Sequence, residues 1–416
     1  MNKLFSKDFT LVVIGQIISL FGNAGVRFAL PLYLLNETGS SAIYGTVTAC
    51  AFIPTILLAP VGGIVADRVN KRNIMVVLDF FTAAVIIIFS LLMGNLNLVV
   101  LMAVTLMILY GIAGAYQPAV QASIPALVSP AHIMEANSII NAISSFASLL
   151  GPVLGGILYS AYGIVPVLWG CTVCFFLSAV MELFIKIPFS RPESGGSVWE
   201  IVKEDFGQSI RFIRKEKPAI GKGLLVVCGI NLFLSAMIIV GLPYMVTEVL
   251  QLEAGLANKL YGFAQGALAA GGLAGGISAG IFAKKLSVQN AGKLIVAGAG
   301  FVFPIGISQM VCSSGMVNYM VLTVCCFFIM LYSTVFSVQM MAFVQTQTPA
   351  NLVGKVIAVM LTVSMCAQPL GNAMYGVLFE ICKGYEPVVV LFAGAASLVI
   401  AVSTRQIFES LTPEAL

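Results

Sequence analysis

Charge is what this chain has least of: Asp, Glu, Lys and Arg make up 9% of its 416 residues, while 59% are hydrophobic. A soluble domain carries about 25% charged residues, and so few charges do not cover the surface of a soluble protein this long. Histidine is limited to His132 and tryptophan to two positions. The nine cysteines are scattered, almost all in apolar runs and with no metal-ligand spacing against a histidine. They read as small hydrophobes, and no metal site is expected. An enzyme needs convergent catalytic groups. The lone His132 and the absence of a carboxylate pair or metal cluster in the sequence speak against one, and no cofactor is expected. A sensor would carry a soluble output domain, yet the longest non-membrane segment is residues 188–219. The net charge of +4 gives no sign of a nucleic-acid partner.

What the chain has instead is apolar runs of roughly 20 residues, the length that crosses about 30 Å of hydrocarbon at 1.5 Å per residue. The runs do not alternate with period two, which excludes a membrane barrel. The fold class is therefore an all-α membrane protein. Twelve spans are predicted, at about 8–35, 42–65, 74–94, 98–123, 136–160, 164–187, 220–247, 257–283, 291–312, 317–344, 354–379 and 386–404. The first run, Phe9 to Leu35, is too long for the core of a signal peptide and lacks a clear cleavage site. Residues 188–219 separate two sets of six spans, giving an N-terminal bundle (1–187), a linker (188–219) and a C-terminal bundle (220–416). Within the linker, Val198, Trp199, Val202, Phe206, Ile210 and Ile213 fall at helical spacing, as in an amphipathic helix on a membrane surface.

Lysine and arginine mark the cytoplasmic side. Of the 21, only Lys259 and Lys383 fall on the opposite side and Arg27 within a span. Both termini and the linker are expected in the cytoplasm. The halves also repeat weakly. "GIVADRV" at 63–69 aligns with "GIFAKKL" at 280–286, and "VSPAHIMEAN" before span five has a counterpart, "QTPANLVGKV", before span eleven. Six plus six spans with an internal repeat is a transporter architecture.

The loop between spans two and three, "GGIVADRVNKR" at 62–72, concentrates charge against apolar neighbours. Gly62 and Gly63 permit close helix approach, Asn70 suits a left-handed turn, and Lys71 and Arg72 mark the cytoplasmic face. Asp67 is placed to meet a helix N-terminus or a base. Residues Gly63 to Arg72 resemble the signature loop of the major facilitator superfamily, with Val65 and Asn70 in place of the usual Leu and Gly. The resemblance covers the whole chain and implies two six-helix bundles in the major facilitator fold. It also implies a conformational latch of Gly63, Asp67, Arg68 and Arg72, with Asp67 engaging the start of span eleven near Gly354 and Lys355. The copy at 280–286 has Lys284 where the first has Asp67, which confines a carboxylate latch to the N-terminal half. In span five, Gly151, Pro152, Gly155 and Gly156 resemble the Gly-Pro-x-x-Gly-Gly motif of exporters in this superfamily, with Ala147 where a further glycine is usual. "EANSIINAISSFASLLGP" and "GQIISLFGN" are similar to the branch that holds macrolide-efflux and enterobactin-exporter proteins.

Polar residues inside spans are the candidate binding residues, because they are costly in hydrocarbon. Arg27 is the sharpest, with Asn23 one turn away and Gln16 further along that face. Three roles stay open for it: substrate or gate contact, an internal structural pair, or snorkelling to the outer surface. Gln117, Asn141, Asn231, Gln265 and Gln368 complete the candidate substrate-binding set. Phe28, Tyr33, Phe233, Tyr244, Phe263 and Tyr332 are offered as an apolar wall. Glycines at 262, 266, 272, 276 and 280 suggest a closely packed helix interface. Spans one, four and five contain no central acid. Asp79 and Glu182 are the candidate proton-coupling residues, with a role as surface-level anchors the alternative. The expectation is a monomeric secondary transporter in the inner (cytoplasmic) membrane of a bacterium. It would export a hydrophobic or amphipathic compound, such as a drug, macrolide or siderophore-like molecule, by alternating access in exchange for protons. The alternative is a lysophospholipid flippase or an uptake transporter of the same fold.

Overall fold

The computed structural model describes residues 6–129, 132–187, 198–282, 291–349 and 352–409, and within these not the side chains of 59–68, 198–202 and 404–409. Every regular element among the described residues is helical. Eleven helical segments there are long and apolar enough to cross a membrane. The predicted eighth span is α10 (Ala254–Ile281), 28 residues long, in which glycine and alanine replace large aliphatic side chains and lower the hydropathy. Together they give the all-α, two-bundle membrane fold. The seventh span, Pro218–Val249, is not one regular helix. It runs as α8 (Pro218–Ile230), a π-helical stretch at Asn231–Ser235, α9 (Ala236–Tyr244) and a further π-helical stretch at Met245–Val249.

The chain divides into two compact units, one formed by Met1–Thr38 and Cys50–Trp199, the other by Gly39–Ala49 and Glu200–Leu416. In the first unit, α1 (Lys7–Thr38) packs on α5 (Ile133–Tyr162) and α6 (Ile164–Leu183), and α3 (Lys71–Leu92) packs on α4 (Leu98–Leu127) and α6. Helix association in lipid depends on close van der Waals packing, because lipid tails are as apolar as leucine. Small residues supply it here. A Cβ on Gly25 would lie 2.8 Å from Cys171 Sγ, and one on Gly155 would lie 3.0 Å from the Phe28 ring. On Gly151 it would overlap the Ala24 methyl. The Gly151/Gly155 face of the exporter-like motif is thus the seam against α1, and Phe28 is a packing residue rather than part of an open wall.

α2 (Ser41–Arg68) and α3 are joined by Val69 and Asn70 alone. Asn70 does not take the left-handed turn expected for it: its φ is −60° and ψ 117°, and its Oδ1 accepts from the Arg72 N–H at 3.0 Å. With only two residues between the helices, Asn70 is the N-cap of α3, a position that uses extended backbone. The Arg72 guanidinium donates to the Leu183 carbonyl at the end of α6, where helix carbonyls lack partners. The side chains of Gly63, Asp67 and Arg68 lie outside the described residues, as do 283–290 of the repeat.

In the second unit, α10 packs along α13 (Gly315–Gln347), and α11 (Ala291–Gly300) and α12 (Val302–Val311) pack on α15 (Glu386–Glu409). The close seam of α10 is not the 272/276/280 stripe expected from spacing. A Cβ on Gly275 would lie 2.5 Å from the Leu331 carbonyl oxygen and one on Gly271 would overlap that of Phe327, whereas Gly276 and Gly280 face open space. A shift of one residue turns a helix face by about 100°, so the glycine that decides the contact is the preceding one. The first turns of α2 belong to this unit and lie on α14 (Val353–Ile381). A Cβ on Gly376 would be 2.7 Å from the Ser41 carbonyl, and the Ser41 hydroxyl donates to the Gly376 carbonyl at 3.0 Å. Glu380 Oε2 accepts from the Ser40 hydroxyl at 2.8 Å and the Ala42 N–H at 3.4 Å. Glu380 of α14 thus holds the first turn of α2.

Helix α7 (Val198–Arg211) forms where the apolar spacing predicted a linker helix, and a π-helical turn, Phe212–Glu216, continues it. Phe212 and Ile213 are buried. Lys355, at the start of α14, pairs with Asp205 at 2.6 Å and donates to Gln208 at 3.2 Å. The basic residue proposed as the partner of Asp67 is thus engaged by the linker helix. Both members of the pair are about a third exposed, and such pairs are worth about 0.2–1 kcal/mol. Lys355→Met is expected to speed amide exchange in α7 without measurably lowering the unfolding temperature.

Candidate functional site

One face of α1 carries Gln16, Ser19, Asn23 and Arg27, at steps of three, four and four residues. The helix period places these on a single stripe, and in the first unit that stripe meets polar residues from three other helices. Asp79 comes from α3, Tyr116 from α4, and Ser178 and Glu182 from α6. Glu182 is fully buried and Asp79 is 2% exposed. Neither side chain reaches the protein surface. The sequence shows no carboxylate pair because the two acids stand far apart in the chain. Folding brings them around one tyrosine.

The Tyr116 hydroxyl donates to Glu182 Oε1 at 2.9 Å and accepts from Gln16 Nε2 at 2.7 Å. The Ser19 hydroxyl donates to Asp79 Oδ1 at 3.2 Å, and the hydroxyls of Ser178 and Tyr116 also lie beside Asp79. Three buried oxygens in the cluster have no hydrogen-bond partner among the described residues: Gln16 Oε1, Asp79 Oδ2 and Glu182 Oε2. No lysine or arginine among the described residues forms an ion pair with either acid. The free atoms are all acceptors, so the cluster is short of protons or of a cation. An unpaired buried charge is costly, whereas a protonated carboxyl supplies the missing donor.

Arg27 does not pair with an acid among the described residues. Its guanidinium lies over the Tyr110 ring, 4.1 Å from the centroid. Phe52 packs edge-on against the same ring at 5.3 Å, and the Thr55 hydroxyl donates to the Tyr110 carbonyl at 2.8 Å. A cation–π contact holds a cation without neutralising it, which leaves Arg27 able to receive an anion. A cavity of about 20 Å³, room for one water, joins Arg27 and Asn23 to Ser19, Asp79, Thr82 and Tyr116.

In the second unit a larger cavity, about 230 Å³, is lined by Asn231, Ser235, Tyr332, Ser333, Thr334 and apolar side chains including Met330 and Phe336. The π-helical stretch Asn231–Ser235 positions Asn231 there, and such stretches recur at functional sites. Asn231 Nδ2 donates to the Ser364 carbonyl at 2.9 Å, and its Oδ1 accepts from Ser235 at 3.3 Å. No charged side chain among the described residues lines this cavity.

The remaining candidates are dispersed. Gln368 donates to Asn372 at 2.9 Å inside the second unit. Gln265 donates to the hydroxyl of Tyr261, one turn away, at 2.8 Å. Gln117 is half-buried and does not line the Arg27 cavity, and Asn141 is exposed. Of the suggested wall, Tyr244 is buried against Phe379, 5.6 Å between ring centroids, while Tyr332 does line a cavity. The sequence reading did not single out Tyr110, Tyr116, Ser19 or Ser178. Tyrosines and serines are common in apolar spans, and only the α1 stripe with its polar residues gave a usable signal.

The sequence profile of the Major Facilitator Superfamily matches residues 12–372. The chain belongs to this superfamily. As a superfamily member it is a transporter, moving a small-molecule substrate across a lipid bilayer, and not an enzyme. It is similar to macrolide efflux protein A of Streptococcus pyogenes, 22% identical over 376 residues, which are 87% of each chain. It is also similar to the multidrug efflux pump Tap of Mycobacterium tuberculosis, 20% identical over 89% of this chain and 86% of that one. Among solved structures, the nucleoside transporter NupG aligns with a TM-score of 0.74 at 12% identity, covering 97% of this chain and all of that one. A bacterial homologue of the iron transporter ferroportin aligns with a TM-score of 0.73 at 16% identity, covering 96% and 98%. At these identities the structural likeness carries the superfamily fold and nothing about cargo.

Proposed function

We propose that the protein exports hydrophobic or amphipathic small molecules by alternating access, in exchange for protons, from the cytoplasmic membrane of a bacterium. The observation that carries the coupling is the buried pair Asp79 and Glu182, which has free acceptor oxygens and, among the described residues, no basic partner. Acids buried in a membrane span without a counter-charge default to proton or ion handling. The direction and cargo class rest on the efflux relatives, at 20% and 22% identity, and on the exporter-like glycine seam at Gly151 and Gly155. Arg27 with Asn23 would take the polar end of the cargo, and Asn231 with its neutral hydroxyl neighbours a second part. Gly63, Asp67, Arg68 and Arg72 would form the latch between states, in a monomer with both termini cytoplasmic.

The test is transport in proteoliposomes with a radiolabelled macrolide and a fluorescent lysophosphatidylcholine as probes. An imposed pH gradient is expected to drive accumulation of the macrolide, and an ionophore that collapses the gradient to stop it. Accumulation that persists after the collapse would sink the proton coupling. Movement of the lysolipid alone would replace drug export by lipid flipping. Arg27→Ala is expected to weaken binding of whichever probe is carried; unchanged binding removes Arg27 from the site.

A further inference from the structure

The two acids of the first unit are not equivalent. Asp79 lines the small cavity that also touches Asn23 and Arg27, whereas Glu182 does not line it. Tyr116 does both: it faces the cavity and donates to Glu182 Oε1 at 2.9 Å. Its oxygen is fixed from behind by Gln16 Nε2 at 2.7 Å. Around it the packing is apolar, with Phe9, Val12, Met75, Val120 and Ile185 in the same core. In such a core the side-chain oxygens are the groups that can take and pass a proton.

We propose that Tyr116 relays protons between Asp79, the acid open to the cavity, and Glu182, the acid behind it, and that Gln16 positions the tyrosine for this step. The inference rests on the coupling role of the two acids but adds the route and the order. In the step, the carboxylic O–H of Asp79 breaks as its proton passes to the Tyr116 oxygen. The Tyr116 O–H then breaks as its own proton passes to Glu182 Oε1. Asp79 ends as carboxylate, Glu182 as carboxylic acid, and tyrosine is restored, so charge and protons balance with no further reactant. The donor geometry fits this order. Tyr116 already aims its hydrogen at Glu182, and one lone pair of its oxygen is held by Gln16, which leaves the other for Asp79. Gln16 is itself 1% exposed with its Oε1 unpartnered, an acceptor set beside the cluster and available to a protonated carboxyl.

The step has a readout that needs no cargo. Infrared spectra of the protein in liposomes report protonated carboxyls by their C=O stretch, and transfer to heavy water shifts each band as its proton exchanges. Asp79→Asn and Glu182→Gln assign the two bands by deletion. In the unmodified protein both bands are expected to exchange. In Tyr116→Phe, the Asp79 band is expected to exchange as before and the Glu182 band to remain unexchanged over the same time. The Glu182 band also moves to higher frequency, because Oε1 has lost its donor. In Gln16→Leu, which leaves all three relay groups in place, exchange of Glu182 is expected to slow without stopping. Exchange of Glu182 at the unmodified rate in Tyr116→Phe overturns the relay. If that variant does not fold, unmodified exchange in Gln16→Leu overturns the positioning role, and slowed exchange supports it. A relay confirmed here alongside transport indifferent to a pH gradient would reject the coupling reading and keep the proton path. Transport coupled to protons with free exchange in Tyr116→Phe would do the reverse.

Discussion

Asp79→Asn is expected to abolish accumulation of cargo against its gradient while leaving exchange down the gradient intact. Export driven by protons gains about 1.4 kcal/mol, a tenfold concentration ratio, for each proton and each pH unit of gradient. With the carboxyl replaced by an amide, the cavity-facing acid no longer takes up a proton, and the ratio falls to one. The amide keeps the volume of the side chain and still accepts from the Ser19 hydroxyl now 3.2 Å from Asp79. The variant is therefore expected to fold. The amide N–H supplies the donor that the protonated carboxyl would, and no ion pair among the described residues is broken, so the unfolding temperature should hold. Glu182→Gln has the same expected outcome for transport. The measurement is macrolide accumulation in proteoliposomes under one pH unit of gradient, beside counterflow without a gradient. Accumulation in Asp79→Asn at the unmodified level would remove this acid from the coupling site. Loss of counterflow as well would mean that the acid serves cargo binding or conformational change.

Much of the fold was legible because a membrane span announces itself by length and composition. The signature loop carries the likeness to the superfamily in the sequence itself. Register was harder to read. Spacing within α10 offered several glycine stripes, and only the packing against α13 shows that Gly271 and Gly275 lie at the seam while Gly276 does not. Asn70 suits two backbone states by residue type, and the two-residue link between α2 and α3 selects the capping one. The candidate site was half visible. Arg27 and Asn23 advertise themselves as polar residues in an apolar run, and the Gln16 stripe points the same way. Asp79 lies in the first half of α3 and Glu182 in the last turn of α6, and position along a helix is all that a sequence shows of them. Their meeting around Tyr116 depends on how α3, α4 and α6 pack, and no local pattern encodes it.

Gly271→Ala and Gly276→Ala differ by five positions and one methyl group each, and are expected to have opposite effects. In a helix interior alanine is favoured over glycine by about 0.8–1.0 kcal/mol. At Gly276 nothing lies within 4 Å of the added Cβ, so the variant should be neutral or stabilised by up to that amount. At Gly271 the added Cβ overlaps the Phe327 carbonyl oxygen and would also lie 3.0 Å from the Phe327 carbonyl carbon and 3.1 Å from its Cα. These are backbone atoms of α13, which no rotamer change moves aside. Relief requires α10 and α13 to separate along their length, and overpacking of this kind costs about 1–3 kcal/mol or more. Separation would also undo the adjoining contact at Gly275, where a Cβ would stand 2.5 Å from the Leu331 carbonyl and 2.9 Å from Thr334 Cβ. Thermal unfolding in detergent reads the difference directly. Gly271→Ala should melt well below the unmodified protein and Gly276→Ala at or above it. Equal melting of the two variants would show that the helices meet along a different face of α10.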